Sequence, residues 1–201
     1  MTPVVFIIDD DQAIRESLQS LLRSVGHEVQ AHASTRDFLA APRRDAPGCL
    51  VLDVRLPGQS GLEFQRALAQ LGLPLPIIFI TGHGDVPMSV AAMKAGAIEF
   101  LTKPFRDQDL LDAVHRGIAL SEARRDDAAA LAVLQARYAT LTQREREIMT
   151  MVAAGQLNKQ VAAQLNLSEI TVKVHRAQAM AKMQARSLPD LVRMVDRLSL
   201  R

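Results

Sequence analysis

The chain has a single cysteine, Cys49, so no internal disulfide can staple it. That residue lies in the apolar run GCLVLD and reads as a small buried side chain rather than a reactive thiol. No apolar run approaches the roughly 20 residues that cross a bilayer, so no membrane partner is expected. The N-terminus lacks a basic segment and a small-residue cleavage site, which argues against secretion and for a cytoplasmic location. There are no internal repeats, and no low-complexity tract beyond a run of alanines. What remains is 201 residues, 48% apolar, with charges of both signs mixed through them. Such a chain can build one large or two small globular cores.

The net charge of +2 hides an asymmetry. Residues 1–120 hold 11 Lys/Arg and 14 Asp/Glu, residues 121–141 hold three of each, and residues 142–201 hold 10 and five. An acidic first part and a basic last part imply two modules with different partners, the basic one a candidate for nucleic acid.

The first 120 residues alternate between two periodicities. Apolar runs at VVFII, CLVLD and PIIFIT, with the shorter HEVQAH and IEFLTK, read as strands, the long ones buried on both faces. Each is followed by a helical pattern. Ser34 with Asp37 and Ser60 with Glu63 supply helix starts, and Asp107 is placed to cap the last helix. Five strands each followed by a helix predict an α/β fold, a doubly wound five-stranded parallel sheet with helices on both faces. Residues 121–141 have no Pro or Gly and place Leu131, Leu134, Tyr138 and Leu141 at helical spacing. That predicts a helix carrying an apolar stripe, either paired with a second copy of the chain or serving as a solvated spacer. The last 60 residues show no strand pattern and divide into four short helices, 142–154, 158–166, 169–183 and 188–198.

In a parallel sheet every strand delivers its C-terminal end to one edge. Asp9, Asp10 and Asp11 end the first strand, Asp53 the third, Thr81 the fourth, and Lys103 follows the fifth. Adjacent carboxylates repel, and a hard divalent cation, Mg2+, would relieve them while keeping waters for a phosphate to displace. Asp53 can attack a phosphoryl donor. Lys103 and the cation would offset charge on the phosphoryl oxygens, and Thr81 could donate a hydrogen bond to one of them. Each feature alone is weak; convergence on one edge is what carries the reading. His83 and Asp85 in GHGDVPM have no second histidine within reach of this topology and read as a loop over the cleft rather than a metal site.

In the basic part, Val172, His175, Ala179 and Met183 share one stripe of the third helix, which Ser168 can cap. Ile170, Lys173, Val174 and Ala177 lie opposite, with Arg176 and Lys182 on the flanks. A solvated face would rarely expose Ile170, Val174 and Ala177 together. The pattern suits a helix in the major groove of DNA, with Lys173 toward guanine acceptors, Val174 and Ala177 toward thymine methyls, and flanking cations on phosphates.

IIDDDQ, LVLDVRLPGQSG, FITGHGD and EFLTKPF resemble the receiver domain of two-component response regulators over residues 3 to about 120. TQREREIMTMVAAGQLNKQVA, SEITVKVHRAQAMAKM and SLPDLVRMV resemble the four-helix helix-turn-helix of LuxR/FixJ-type regulators over residues 141 to about 197. The resemblance implies a flavodoxin-like receiver at 1–120, a helical linker at 121–140 and an all-α DNA-binding domain at 141–201. It implies Asp53 as phosphoacceptor, fed by a sensor histidine kinase. Mg2+ would be held by Asp10, Asp53 and the carbonyl of Arg55, with Asp9 orienting the site and Asp11 capping the first helix. Lys103 would pair with the acceptor across a Lys103–Pro104 bond that the family makes cis. Thr81 and Phe100 fit the family's switch pair. Lys159, Thr171, Lys173, Val174, Arg176, Ala177 and Lys182 fall on the expected DNA side, and Glu145 would hold the first helix of the domain on its core. The partners implied are double-stranded promoter DNA and a second copy of the chain once phosphorylated, with RNA polymerase a further candidate; the protein would not be an enzyme. Gln143 departs from a common proline and Ala179 from a larger apolar residue.

Two other readings stay open from the residues. One is an aspartate-based phosphatase or phosphotransferase using the same Mg2+ pocket. Against it, the acidic run is contiguous and no cap-sized insertion could enclose a substrate. The other is a protein-binding role for the basic domain.

Overall fold

The computed structural model describes residues 2–42 and 44–200. The chain divides into two compact units, Met1–Arg125 and Asp126–Arg201. No helix among the described residues is long and apolar enough to cross a membrane.

The first unit is built on β1 (Val4–Ile8), α1 (Gln12–Ser24), β2 (Glu28–His32), α2 (Thr35–Ala40), β3 (Gly48–Asp53), α3 (Gly61–Gln70), β4 (Ile77–Thr81), α4 (Val86–Lys94), β5 (Glu99–Thr102) and the start of α5 (Asp107–Ala139). Its strands form one parallel sheet in the order β2-β1-β3-β4-β5. β1, β3 and β4 are buried along their whole length, as their unbroken apolar runs require, while β2 and β5 at the edges are half-exposed. Alternate residues feed two cores. Phe6, Ile8, Leu50, Leu52 and Phe79 face Phe38, Phe64 and Leu68, whereas Val5, Ile7, Val51, Ile78 and Ile80 face Leu18, Leu22, Leu110 and Val114. Cys49 is fully buried there, and burial pushes its thiol up to about 12.

Most helix starts fall on the expected residues. Asp11, Ser34, Ser60 and Ser168 each accept a backbone N–H of the first turn, and Glu63 completes a capping box with Ser60. Asp107 differs: α5 begins on it. The carbonyl of Arg106 receives the N–H groups of Asp109 and Leu110, so Arg106 holds the cap position and Asp107 sits in the acidic first turn.

The second unit takes the end of α5 and α6 (Gln143–Ala153), α7 (Asn158–Leu165), α8 (Glu169–Met183) and α9 (Leu188–Arg197). Asn166, with φ 57°, ends α7 in the left-handed conformation, and Gln184 ends α8 in the same way, so that α8 spans Glu169–Met183 as the sequence predicts. Despite Gln143, Thr142 and Glu145 form a complete capping box at α6. The stripe at the end of α5 corrects both expectations for it. Leu134 and Leu141 are buried against Met149, Met183, Leu191 and Val195, with Tyr138 packed beside them. Arg146 stacks over the Tyr138 ring, 4.8 Å from its centroid. The stripe is therefore neither a free dimer seam nor a solvated spacer; it is part of the core of its own unit.

Candidate functional sites

β1 and β3 are hydrogen-bonded neighbours, so their C-terminal ends bring Asp9, Asp10 and Asp53 together. Carboxylate oxygens of all three lie within 4.8 Å of one another. Asp9 is wholly buried, Asp53 nearly so, and Asp10 is exposed at the mouth. Lys103 follows β5 through a backbone hydrogen bond from its N–H to the carbonyl of Thr81, and Lys103–Pro104 is cis as expected. Its Nζ donates to Asp9 Oδ2 at 2.7 Å and to Asp53 Oδ2 at 3.1 Å.

The electrostatics follow from that geometry. Burial lifts the Asp9 carboxyl above its ordinary range, although Lys103 and the Asp11 N–H pull the other way. Burial would lower Lys103, but its hydrogen bonds to Asp9 and Asp53 outweigh this and hold the ammonium above its usual value. Three carboxylates face one ammonium, and this surplus of negative charge suits a divalent cation with oxygen ligands. Asp53 has its oxygens oriented on both sides: Oδ2 toward Lys103, and Oδ1 accepting the Arg55 N–H at 3.0 Å. Gly61 is tied to this corner, since a β-carbon there would collide with the carbonyl of Asp53.

Thr81 is buried, and its hydroxyl accepts the N–H of His83 at 3.3 Å. Phe100 is half-buried with its ring 6.2 Å from that of Phe79. A β-carbon on Gly84 would lie 2.8 Å from the Phe100 ring and 3.1 Å from the Thr81 methyl. The GHGD loop thus packs directly on Thr81 and Phe100, and His83 itself is exposed and belongs to no metal-ligating cluster among the described residues. One contributor escaped the sequence reading: Arg15 Nη1 donates to the carbonyl of Asp9 at 2.8 Å, pinning the acidic strand end to α1. Its only signal was a cation one turn into the helix after the acidic run.

In the second unit, α8 buries Val172, Ala179 and Met183 and turns Lys173, Val174 and Ala177 outward. Ile170 is 77% and Val174 50% exposed, an apolar surface with no packing role in the domain. Thr171 lies in the first turn, its hydroxyl 2.8 Å from that of Ser168, and Lys159 is exposed at the start of α7. The flanking cations are not equivalent. Arg176 is half-buried and donates to Asn158 Oδ1 at 3.1 Å, on the side of α7. Lys182 stays exposed but pairs with the protein itself, 2.7 Å from Glu145 Oε2, whose residue is 2% exposed. Burial would raise the Glu145 carboxyl, but Lys182 and the Thr142 N–H outweigh it and hold the group below its usual range.

Both units match known family models. Residues 5–115 match the response regulator receiver domain, and residues 139–195 match the bacterial regulatory proteins of the luxR family. The chain therefore belongs to the response regulators that join a receiver to a LuxR-type DNA-binding domain, and it is a phosphorylation-controlled transcription regulator. It is 53% identical to Nodulation protein W of Bradyrhizobium diazoefficiens, over 98% of this chain and 87% of the relative. It is 47% identical to Transcriptional regulatory protein FixJ of Rhizobium meliloti, over 94% of this chain and 93% of that one. The low-resolution structure of the response regulator StyR superposes with a TM-score of 0.84 at 47% identity, covering 98% of this chain and 100% of that one. The parallel sheet and the helical C-terminal part agree with these matches.

Proposed function

We propose that Asp53 accepts a phosphoryl group from a sensor histidine kinase and that the modified receiver drives the basic domain onto promoter DNA. The observation that carries this is the bridge of Lys103 between Asp9 and Asp53, inside a carboxylate cluster too negative to be a closed ion pair. Asp53 attacks phosphorus as the nucleophile, and the donor imidazole leaves. Lys103 then turns from the carboxylate to the phosphoryl oxygens, and Thr81 donates its hydroxyl to one of them. Phe100 follows into the space behind Thr81. Asp10, Asp53 and the carbonyl of Arg55 would hold Mg2+, with Asp9 orienting them; the ion supplies charge compensation at the phosphoryl oxygens.

The proposed domain limits are 1–120 for the receiver, 121–140 for the linker and 141–201 for DNA binding, the end of the linker helix being packed into the core of the last of these. Lys159, Thr171, Lys173, Val174, Arg176, Ala177 and Lys182 form the DNA side, with Lys182 also paired to Glu145. Two copies assemble when phosphorylated, the bound DNA then presents RNA polymerase with the dimer, and the protein takes one phosphoryl group rather than turning over a substrate.

The test is solution mass by light scattering with Mg2+, with and without beryllofluoride. The expected result is a shift from monomer to dimer that is absent in Asp53→Asn. A mass that ignores beryllofluoride in the wild type would remove assembly from the scheme. Steady release of phosphate from small monoesters would replace the scheme with a phosphatase.

A further inference from the structure

Arg176 is the least explained cation of the proposed DNA side. On α8 it lies next to the buried stripe rather than among the exposed residues, and it is itself half-buried. Its guanidinium reaches across to α7, where Nη1 donates to Oδ1 of Asn158 at 3.1 Å. Asn158 is the first residue of α7, and Leu157, in the cap position, supplies no side-chain hydrogen bond to the helix start. Arg176, Asn158, Lys159 and the carboxylate-bearing Glu169 line one depression of about 380 Å³ with Gln156 and Leu157. A guanidinium carries five N–H groups in a rigid fork, so one bond to an amide oxygen anchors its position and uses only one of them, leaving others for an anion.

We propose that Asn158 is a positioning residue for DNA binding: it holds Arg176 against α7 so that the remaining guanidinium N–H groups meet a backbone phosphate beside Lys159. Asn158 suits this task because its side chain is neutral. It aims the guanidinium without neutralising it, whereas a carboxylate would cancel the charge the phosphate needs. The inference rests on the DNA-binding reading above and adds to it the residue that sets one contact.

The test measures affinity of the full chain for generic duplex DNA by fluorescence anisotropy over a salt series. Each phosphate contact contributes about one to the slope of log affinity against log salt. Arg176→Gln should weaken binding and reduce the slope by about one. Asn158→Ala should reduce it by the same amount although no charge has been removed, and the double variant should add nothing further. A role limited to tying α7 to α8 would move thermal stability and leave the slope of Asn158→Ala at the wild-type value; that result overturns the proposal. An unchanged slope in Arg176→Gln overturns it as well. If Asn158→Ala fails to fold, Asn158→Gln displaces the acceptor while keeping its chemistry, and the same slope criterion applies. Lys173→Ala separates the two levels: if neither wild type nor this variant shows salt-dependent binding, the DNA-binding reading itself has failed.

Discussion

Two lysines in this molecule make short bonds to buried carboxylates, and the two arrangements mean different things. Lys182 meets one carboxylate, Glu145, whose second duty is to accept the Thr142 N–H in a capping box. One charge answers one charge, and the remaining acceptor capacity goes to the helix start. Lys103 meets two carboxylates, with a third alongside at the solvent-facing mouth. That site is short of positive charge by construction. Burying charge is costly unless it is compensated, so a folded chain that tolerates an uncompensated excess holds a place for something else. The stoichiometry of charges, rather than their burial, separates a strut from a site.

Residue replacements can break this comparison outright. Asp53→Asn should abolish acyl-phosphate formation from a small phosphodonor, read by intact-protein mass spectrometry, while Glu145→Gln should leave it at the wild-type level. Next in size is the response to Mg2+, which should stabilise only the unit with surplus carboxylates. At a hundredfold excess over its Kd the gain is about 2.7 kcal/mol. Two internal reporters tell the units apart. Tyr138, the only tyrosine in a chain without tryptophan, lies in the second unit, and Cys49, the only cysteine, is buried in the first. Mg2+ should slow thiol labelling of Cys49 and leave the Tyr138 transition in place.

The converse variant, Glu145→Ala, removes the ion pair and half of a capping box. It should lower the stability reported by Tyr138 in urea by about 2 kcal/mol without changing Cys49 labelling. A smaller effect follows from the direction of the Glu145 shift. Its folded-state value lies below the ordinary 4.5 because Lys182 and the Thr142 N–H outweigh burial, so the carboxylate stabilises the fold above that pH. That contribution is lost as pH falls through the folded value. The stability gap between wild type and Glu145→Gln should therefore close on acidification below 4.5, measured by Tyr138 in urea at each pH. The smallest expected effect is at Cys49 in native protein at neutral pH. A thiol pushed up to about 12 by burial should react with a thiol reagent only through opening of the receiver.

Much of this could be read directly from residue order. Unbroken apolar runs located β1, β3 and β4, and parallel topology alone placed Asp9, Asp10, Asp53, Thr81 and Lys103 at one edge. Helix caps were legible because their signal is local, three residues from donor to acceptor. What could not be read was the partner of a face or of a charge. The spacing of Leu134, Tyr138 and Leu141 announces that a helix face is covered and is silent on what covers it. Lys182 and Glu145 are separated by 37 residues, so helical angle put the lysine on a flank and was silent on the carboxylate it meets there. Arg15 and Asn158 share this character: each acts on a group its own periodicity does not involve. Asp107 was misplaced by one residue, within the ordinary slack of a helix start.

The apolar stripe at the end of α5 has a practical consequence for domain grafting. A fusion that joined a foreign sensor module at residue 141 would discard Leu134 and Tyr138, leaving Met149, Met183 and Leu191 without their cover. The exchangeable cassette begins earlier, near Asp126, and carries the second half of the helix with it.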